Sequence, residues 1–317
     1  MDVLCVGAAV VDIMASPIPE YSRWKEKQRI GAIGLYVGGD AANQAVRLAD
    51  AGEQAALCAA VGDDGNGQML RGLLEARGVN TDFLRVKKEY ATGTALVLVD
   101  EMGKRSIFSV KGAHSSLDRR DLPGLLQPVP RAVSLASLFL MPELEKSGME
   151  QFLKGMKKEG VRIFADLGND KLGLGLDGIR PFLPLIDYFL PSVYDALEMT
   201  GTRAPEDAAR VYRKLGCRNV IIKCGAEGCI CLTDSFCGHI PALPVKPVDT
   251  TGAGDTMVAL FIHRILQGDG VEAAARYACL GASLSTLQAG ASAVKLMPDE
   301  IEKVRNEIQI RKDIWER

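Results

Sequence analysis

The sequence predicts an α/β fold: a mainly parallel sheet covered by helices on both faces, with a small β lid inserted into it. Three observations predict it. Short apolar runs alternate with segments whose apolar residues recur at helical spacing, the pattern of successive βαβ units. One stretch, GTALVLVDEMGKRSIFSVK at 93–111, breaks that rhythm with two β-rich runs joined by a turn, so it reads as a hairpin and a lid. No internal repeat or low-complexity linker divides the 317 residues, so 1–317 reads as one domain with its lid at about 13–36 and 91–112.

The elements follow in order. VLCVGA (3–8) is a short apolar strand, and a polar, Pro-containing stretch runs from it to about residue 36. In GGDAANQAVRLADAG, Asp40 is placed to cap a helix whose Ala, Val and Leu positions repeat at helical spacing and which Gly52 ends. AALCAAVG (55–62) is a strand and GQMLRGLLEARG (67–78) a helix that Gly78 stops. After the hairpin come strand 133–140, helix 145–159, strands 161–166 and 187–190, helices 193–200 and 205–215, and strand 219–223. A ribbon pair at 228–243 precedes helices at 253–267, 271–287 and 298–312.

Composition narrows the partners. With 38 Lys plus Arg against 40 Asp plus Glu, the formal net charge of -2 supplies no basic field for nucleic acid or anionic membrane. A small-molecule partner is expected. No apolar run approaches the roughly 18 residues that span a bilayer. The opening MDVLCVGAAVVDIMASP has the look of a signal peptide but lacks a basic start and carries Asp2 and Asp12, so it reads as a buried first strand.

Five of the eight cysteines, Cys217, Cys224, Cys229, Cys231 and Cys237, cluster in sequence without a CxxC pair. Cys229 and Cys231 alternate onto one strand face, where free cysteine behaves as a small hydrophobe in a reducing cytoplasm. His114, His239 and His263 have no metal spacing and read as surface or packing residues.

The chemistry concentrates in DTTGAGD (249–255), a glycine-containing turn that opens into an amphipathic helix. Glycines let consecutive N–H groups aim at one spot, and a helix N-terminus adds positive potential there, which suits a phosphoryl group. An acid at the end of such a turn, Asp255, is placed to take the proton of an attacking hydroxyl. Asp255 as a plain helix cap is the competing reading. A second glycine pair entering a helix, GGDAANQA, adds Asp40 and Asn43, whose side chains bond hydroxyls.

GGDAANQA followed by DTTGAGDT resembles the ribokinase-like, phosphofructokinase-B type carbohydrate kinases, and the resemblance extends over essentially the whole chain. It implies a three-layer α/β/α sandwich, ATP and Mg2+ as cofactors, Asp255 as base, and Gly252, Ala253 and Gly254 as the anion hole. It further implies substrate binding by Asp12, Gly38, Gly39, Asp40 and Asn43, and nucleotide binding by Lys223, Gly225 and Gly228 of KCGAEG. Asp249 and Thr251, with Ser292 of the loop AGAS (289–292), match positions that bind a monovalent cation such as K+ in similar kinases. Similar kinases often pair through their lids, so a homodimer is expected.

Two departures stand out. Where many members carry Asn-x-x-Glu, this chain has Ser192 and Asp195, so the carboxylate is one methylene shorter and the Asn is lost. Asp195 still suits ordering of magnesium-bound water; the plainer reading is a first-turn carboxylate favoured by the helix dipole. Glu143 in LMPELE matches a substrate-contacting acid of some ribokinases, and Glu145 matches it equally well. Asp12 and Asp40 facing one substrate suit the hydroxyl donors of a neutral pentose, hexose, polyol or nucleoside and repel a phosphate. The alternatives are a sugar phosphate held by Lys111 and Arg105 of the lid, and a sugar or nucleotide sensor that kept the fold and lost the chemistry.

Overall fold

The computed structural model describes residues 1–18, 29–102, 105–124, 127–292 and 295–308. In chain order the strands are β1 (Val3–Val6), β2 (Val10–Ile18), β3 (Ala32–Gly38), β4 (Ala55–Gly62), β5 (Leu84–Lys87), β6 (Gly93–Asp100), β7 (Arg105–Val110), β8 (Ala132–Leu138), β9 (Arg162–Leu167), β10 (Tyr188–Phe189), β11 (Asn219–Lys223), β12 (Cys229–Leu232) and β13 (Cys237–Ile240). The helices are α1 (Asp40–Asp50), α2 (Gly65–Ala76), α3 (Pro142–Ser147), α4 (Met149–Lys158), α5 (Gly175–Ile179), α6 (Val193–Thr200), α7 (Pro205–Lys214), α8 (Ala253–Leu266), α9 (Val271–Ser285) and α10 (Pro298–Lys303).

Nine strands form the central sheet in the order β13-β12-β11-β10-β9-β8-β1-β4-β5. All neighbours are parallel except the pairs made by β12 and β13. Strands buried on both faces read as unbroken apolar runs, and alternate residues of one run serve two cores. Val3 and Cys5 of β1, with Leu57, Ala59 and Val61 of β4, pack against α1, α2, α8 and α9. Leu4 and Val6, with Ala56, Cys58 and Ala60, face the layer holding α3, α4 and α7. The sandwich therefore has the three expected layers. Cys229 and Cys231 lie together in the first core, and the described cysteines are free.

The lid is a separate four-stranded sheet, β3-β2-β6-β7. The hairpin expected at 93–111 is the antiparallel pair β6–β7. Its other half begins earlier than expected, because the chain leaves the central layer at Gly7 and enters β2 at Val10. The helix expected over 145–159 is broken into α3 and α4 at Gly148, which packs so closely on Arg119 that an added Cβ would lie 2.6 Å from that side chain. Neither β5, with its charged LRVK, nor the short α5 carries a period that announces it. Of the helix expected over 298–312, α10 ends at Lys303, and residues 309–312 lie outside the described residues.

Candidate active site

Two turns at the carboxyl ends of the central strands meet beneath the lid, where ligands of parallel sheets bind. The first is Gly38-Gly39-Asp40. Gly39 has φ 88°, and an added Cβ would lie 2.6 Å from the Ala8 carbonyl oxygen, so only glycine fits. A Cβ on Gly38 would lie 2.3 Å from Cγ of Asp12, so this glycine makes the room in which the Asp12 carboxylate stands. The N-cap of α1 is Gly39, not Asp40 as the pattern suggested. Asp40 instead turns its carboxylate inward, where the Ser137 hydroxyl donates to it.

The second turn enters α8 through Gly252, left-handed at φ 69°. Asp255, on the first turn of α8, is buried and makes no capping bond. Its carboxylate accepts from Asn43 Nδ2 at 3.0 Å and from Gln44 Nε2 at 3.4 Å, both on α1. Ser134 fixes Gln44 in turn by donating to Oε1 at 2.7 Å. Burial and the neighbouring charge of Asp40 push the Asp255 carboxyl well above the ordinary carboxylate range, while Asn43 and Lys223 oppose them. Burial likewise raises Asp12 to about 6, reinforced by Asp40 and Asp249.

Beyond the turn, Lys223 at the end of β11 pairs with buried Asp166 at the end of β9. A Cβ on Gly254 would lie 3.4 Å from Lys223 Nζ, which places this cation beside the backbone of the turn at Gly254. The Lys223 N–H donates to Pro191 O at 2.9 Å, and so brings Ser192 and Asp195 alongside. Ser192 caps α6, donating its hydroxyl to Asp195 Oδ2 at 2.5 Å. Gly225 and Gly228 shape the turn from β11 to β12, with φ of 57° and 89°.

A cavity of about 360 Å³ joins the two turns to the lid. Its lining includes Asp12, Gly39, Asp40, Asn43, Thr251, Gly252 and Asp255. Lys111, His114, Lys171, Phe139 and Leu172 line it as well.

The family is decided by comparison with known proteins. Residues 2–298 match the family described as pfkB family carbohydrate kinase. The chain belongs to that family. It is similar to a deoxyribokinase of Salmonella typhi, 27% identical over 92% of this chain and 94% of that one. It is also similar to the ribokinase of Mus musculus, 30% identical over 81% of this chain and 79% of that one. Arabidopsis thaliana ribokinase, solved with ribose and ATP, superposes with a TM-score of 0.79, covering 96% of this chain and 98% of that one at 27% identity. This chain is thus an ATP-dependent carbohydrate kinase with the ribokinase fold.

Several expectations change in this carbohydrate kinase. Glu143 is exposed and does not line the cavity. Glu145 is the inward acid, and its Oε1 accepts from the Phe139 N–H at 2.7 Å, holding a residue with φ 77° in a left-handed conformation. His114, expected at the surface or in packing, faces the cavity. Cys229 and His263 do pack, the latter against Glu53 at 2.8 Å. At the residues matched to a monovalent cation, Asp249 accepts from Thr251 N and Oγ1 at 2.9 and 2.6 Å and from Gly290 N at 2.8 Å, while the Ser292 carbonyl accepts from Arg77. Among the described residues no group of three His, Cys, Asp or Glu is set to hold a metal ion. Sequence reasoning missed Gln44, Ser134, Ser137, Asp166 and Lys171; for Asp166, an acid at a parallel-strand terminus was the available signal.

Proposed function

We propose that this kinase transfers the terminal phosphoryl of ATP to a hydroxyl of a neutral sugar, polyol or nucleoside, with Asp255 as general base. The observation that supports this most is the placement of Asp255. It is a buried carboxylate held at both oxygens by α1, raised in proton affinity, and lining one cavity with Asp12 and Asp40 at the turn that opens α8.

The acceptor lies between the lid and α1. Asp12, Asp40 and Asn43 accept from and donate to its hydroxyls and orient one of them toward Asp255. Asp255 takes that proton as the oxygen attacks the terminal phosphorus. The N–H groups of Gly252, Ala253 and Gly254 hold the charge on the transferring group, and Lys223, beside Gly254, adds a fixed positive charge. Ser192, Gly225 and Gly228 form the surface around Lys223 on which the nucleotide rests. Asp195 would hold Mg2+ through water, and the ion, bound with the nucleotide phosphates, would supply charge neutralisation there. One domain with its lid suffices for all of this.

The relatives support acceptors of this class, being a deoxyribokinase and ribokinases. A second reading, a phosphorylated sugar, is favoured by Lys111, His114 and Lys171 in the cavity lining. The side chain of Arg105, the other cation expected for it, lies outside the described residues. ADP release measured across neutral sugars, polyols, nucleosides and sugar phosphates separates the readings. The expected outcome is a neutral acceptor with the highest kcat/KM. A sugar phosphate turned over far better than every neutral compound would overturn it, and no turnover with any acceptor would favour a sensor.

A further inference from the structure

The loop that matched a cation site is held by cations of the protein itself. Arg47 of α1 is 3% exposed, and its Nη2 donates to the Ala291 carbonyl at 3.0 Å. Arg77, just beyond α2, donates from Nη1 to the Ser292 carbonyl at 2.6 Å. Buried Asp50 joins the two: Arg77 Nη2 lies 2.5 Å and Arg47 Nη1 3.7 Å from its Oδ2. Two guanidinium groups thus converge on successive carbonyls of one loop, and guanidinium stays charged at any working pH.

That loop forms the back of the anion-hole turn. A Cβ added to Gly252 would lie 2.5 Å from Cβ of Ala291, so Ala291 presses directly on the turn. Gly290 N–H donates to Asp249 Oδ2, tying the start of the turn to the same loop. Behind the loop lies a small cavity of about 90 Å³ lined by Arg47, Gly290, Lys295 and Glu300. A monovalent cation entering there meets Arg47 and Lys295 against one acid, Glu300, and in the loop itself the Ala291 and Ser292 carbonyls each already accept a guanidinium N–H. Arg47 and Lys295 oppose a further cation there by like-charge repulsion.

We propose that Arg47 and Arg77, coupled through Asp50, replace a monovalent cation as the positive support of the turn 249–255, so that catalysis is indifferent to K+. This rests on the reading of Gly252 to Gly254 as the anion hole. Arg47 is a positioning residue: it touches neither acceptor nor nucleotide and acts through Ala291 on Gly252.

The test begins with the unmodified enzyme in potassium, sodium or tetramethylammonium chloride at matched ionic strength. Initial rates are expected to agree within about twofold, and melting temperatures to coincide, because an ion bound only by the native state would raise them. A larger rise specific to potassium, in either quantity, overturns the proposal. Arg47→Met is expected to lower kcat about tenfold with little change in acceptor KM, and Arg47→Lys to recover most of that loss. Arg47→Met turning over at the unmodified rate would also overturn it. If Arg47→Met fails to fold, the salt comparison and the more exposed Arg77→Gln, expected to lower kcat in the same way, still decide. Should no acceptor be turned over, the kinase reading fails, while the melting comparison continues to report on cation binding.

Discussion

Asp255 owes its behaviour to four neighbours drawn from two elements, α1 and β11. Asn43 and Gln44 donate to it, Lys223 favours its charge, and Asp40 opposes it. The sign of the pH effect follows. A base with a raised pKa is protonated, and inactive, further up the pH scale than an ordinary carboxylate, and Asp12, raised to about 6, accepts more strongly from a hydroxyl once ionised. The profile of kcat/KM should therefore rise with pH through about 6, and lower pH should remove activity reversibly. Asp40→Asn removes a charge that raises both groups, so it should move this acid limb downward while weakening acceptor binding. A limb that stays in place in that variant would separate Asp40 from Asp255. Asp40, Asn43 and Asp255 were legible because each sits in a glycine-bearing turn or beside one, and Asp12 only through the family resemblance. Gln44 and Asp166 were not, since their roles depend on partners 211 and 57 residues away, Asp255 and Lys223, and nothing local distinguishes them from ordinary helix or strand residues.

The elements act by bringing two helix N-termini together. Contact between α1 and α8 lets the Asn43 and Gln44 side chains reach Asp255, and β2 of the lid delivers Asp12 over Gly38. The absence of a side chain at Gly38 is what permits that delivery. Gly38→Ala should push Asp12 aside and raise acceptor KM at least about tenfold, the loss of one good charge-assisted bond. Nucleotide KM should hardly change, and equal effects on both substrates would contradict the assignment. Strong periods made the elements readable: β4 falls on 55–62 as expected, and α6 on 193–200. The break at Gly148 and the strand β5 were hidden because tertiary packing, against Arg119 and along β4, decides them.

For the whole molecule, the lid closes over the cavity with one wall and offers an apolar face on the other side. Leu35, Ile13, Leu96 and Phe108 stand in register across its four strands, and Ile33 and Phe108 remain 68% and 60% exposed. Such a face is what a second copy would cover. The account predicts a dimer mass at micromolar protein, and a monomer mass for the double substitution Leu35→Lys, Phe108→Lys with its fold retained. A monomeric unmodified protein would contradict this. The central claim remains that Asp255 is the base, and the most direct measurement is the turnover of Asp255→Asn with the best acceptor, alongside ATP binding and melting. The account predicts normal folding and ATP affinity with turnover reduced at least about 100-fold; turnover close to that of the unmodified enzyme would contradict it.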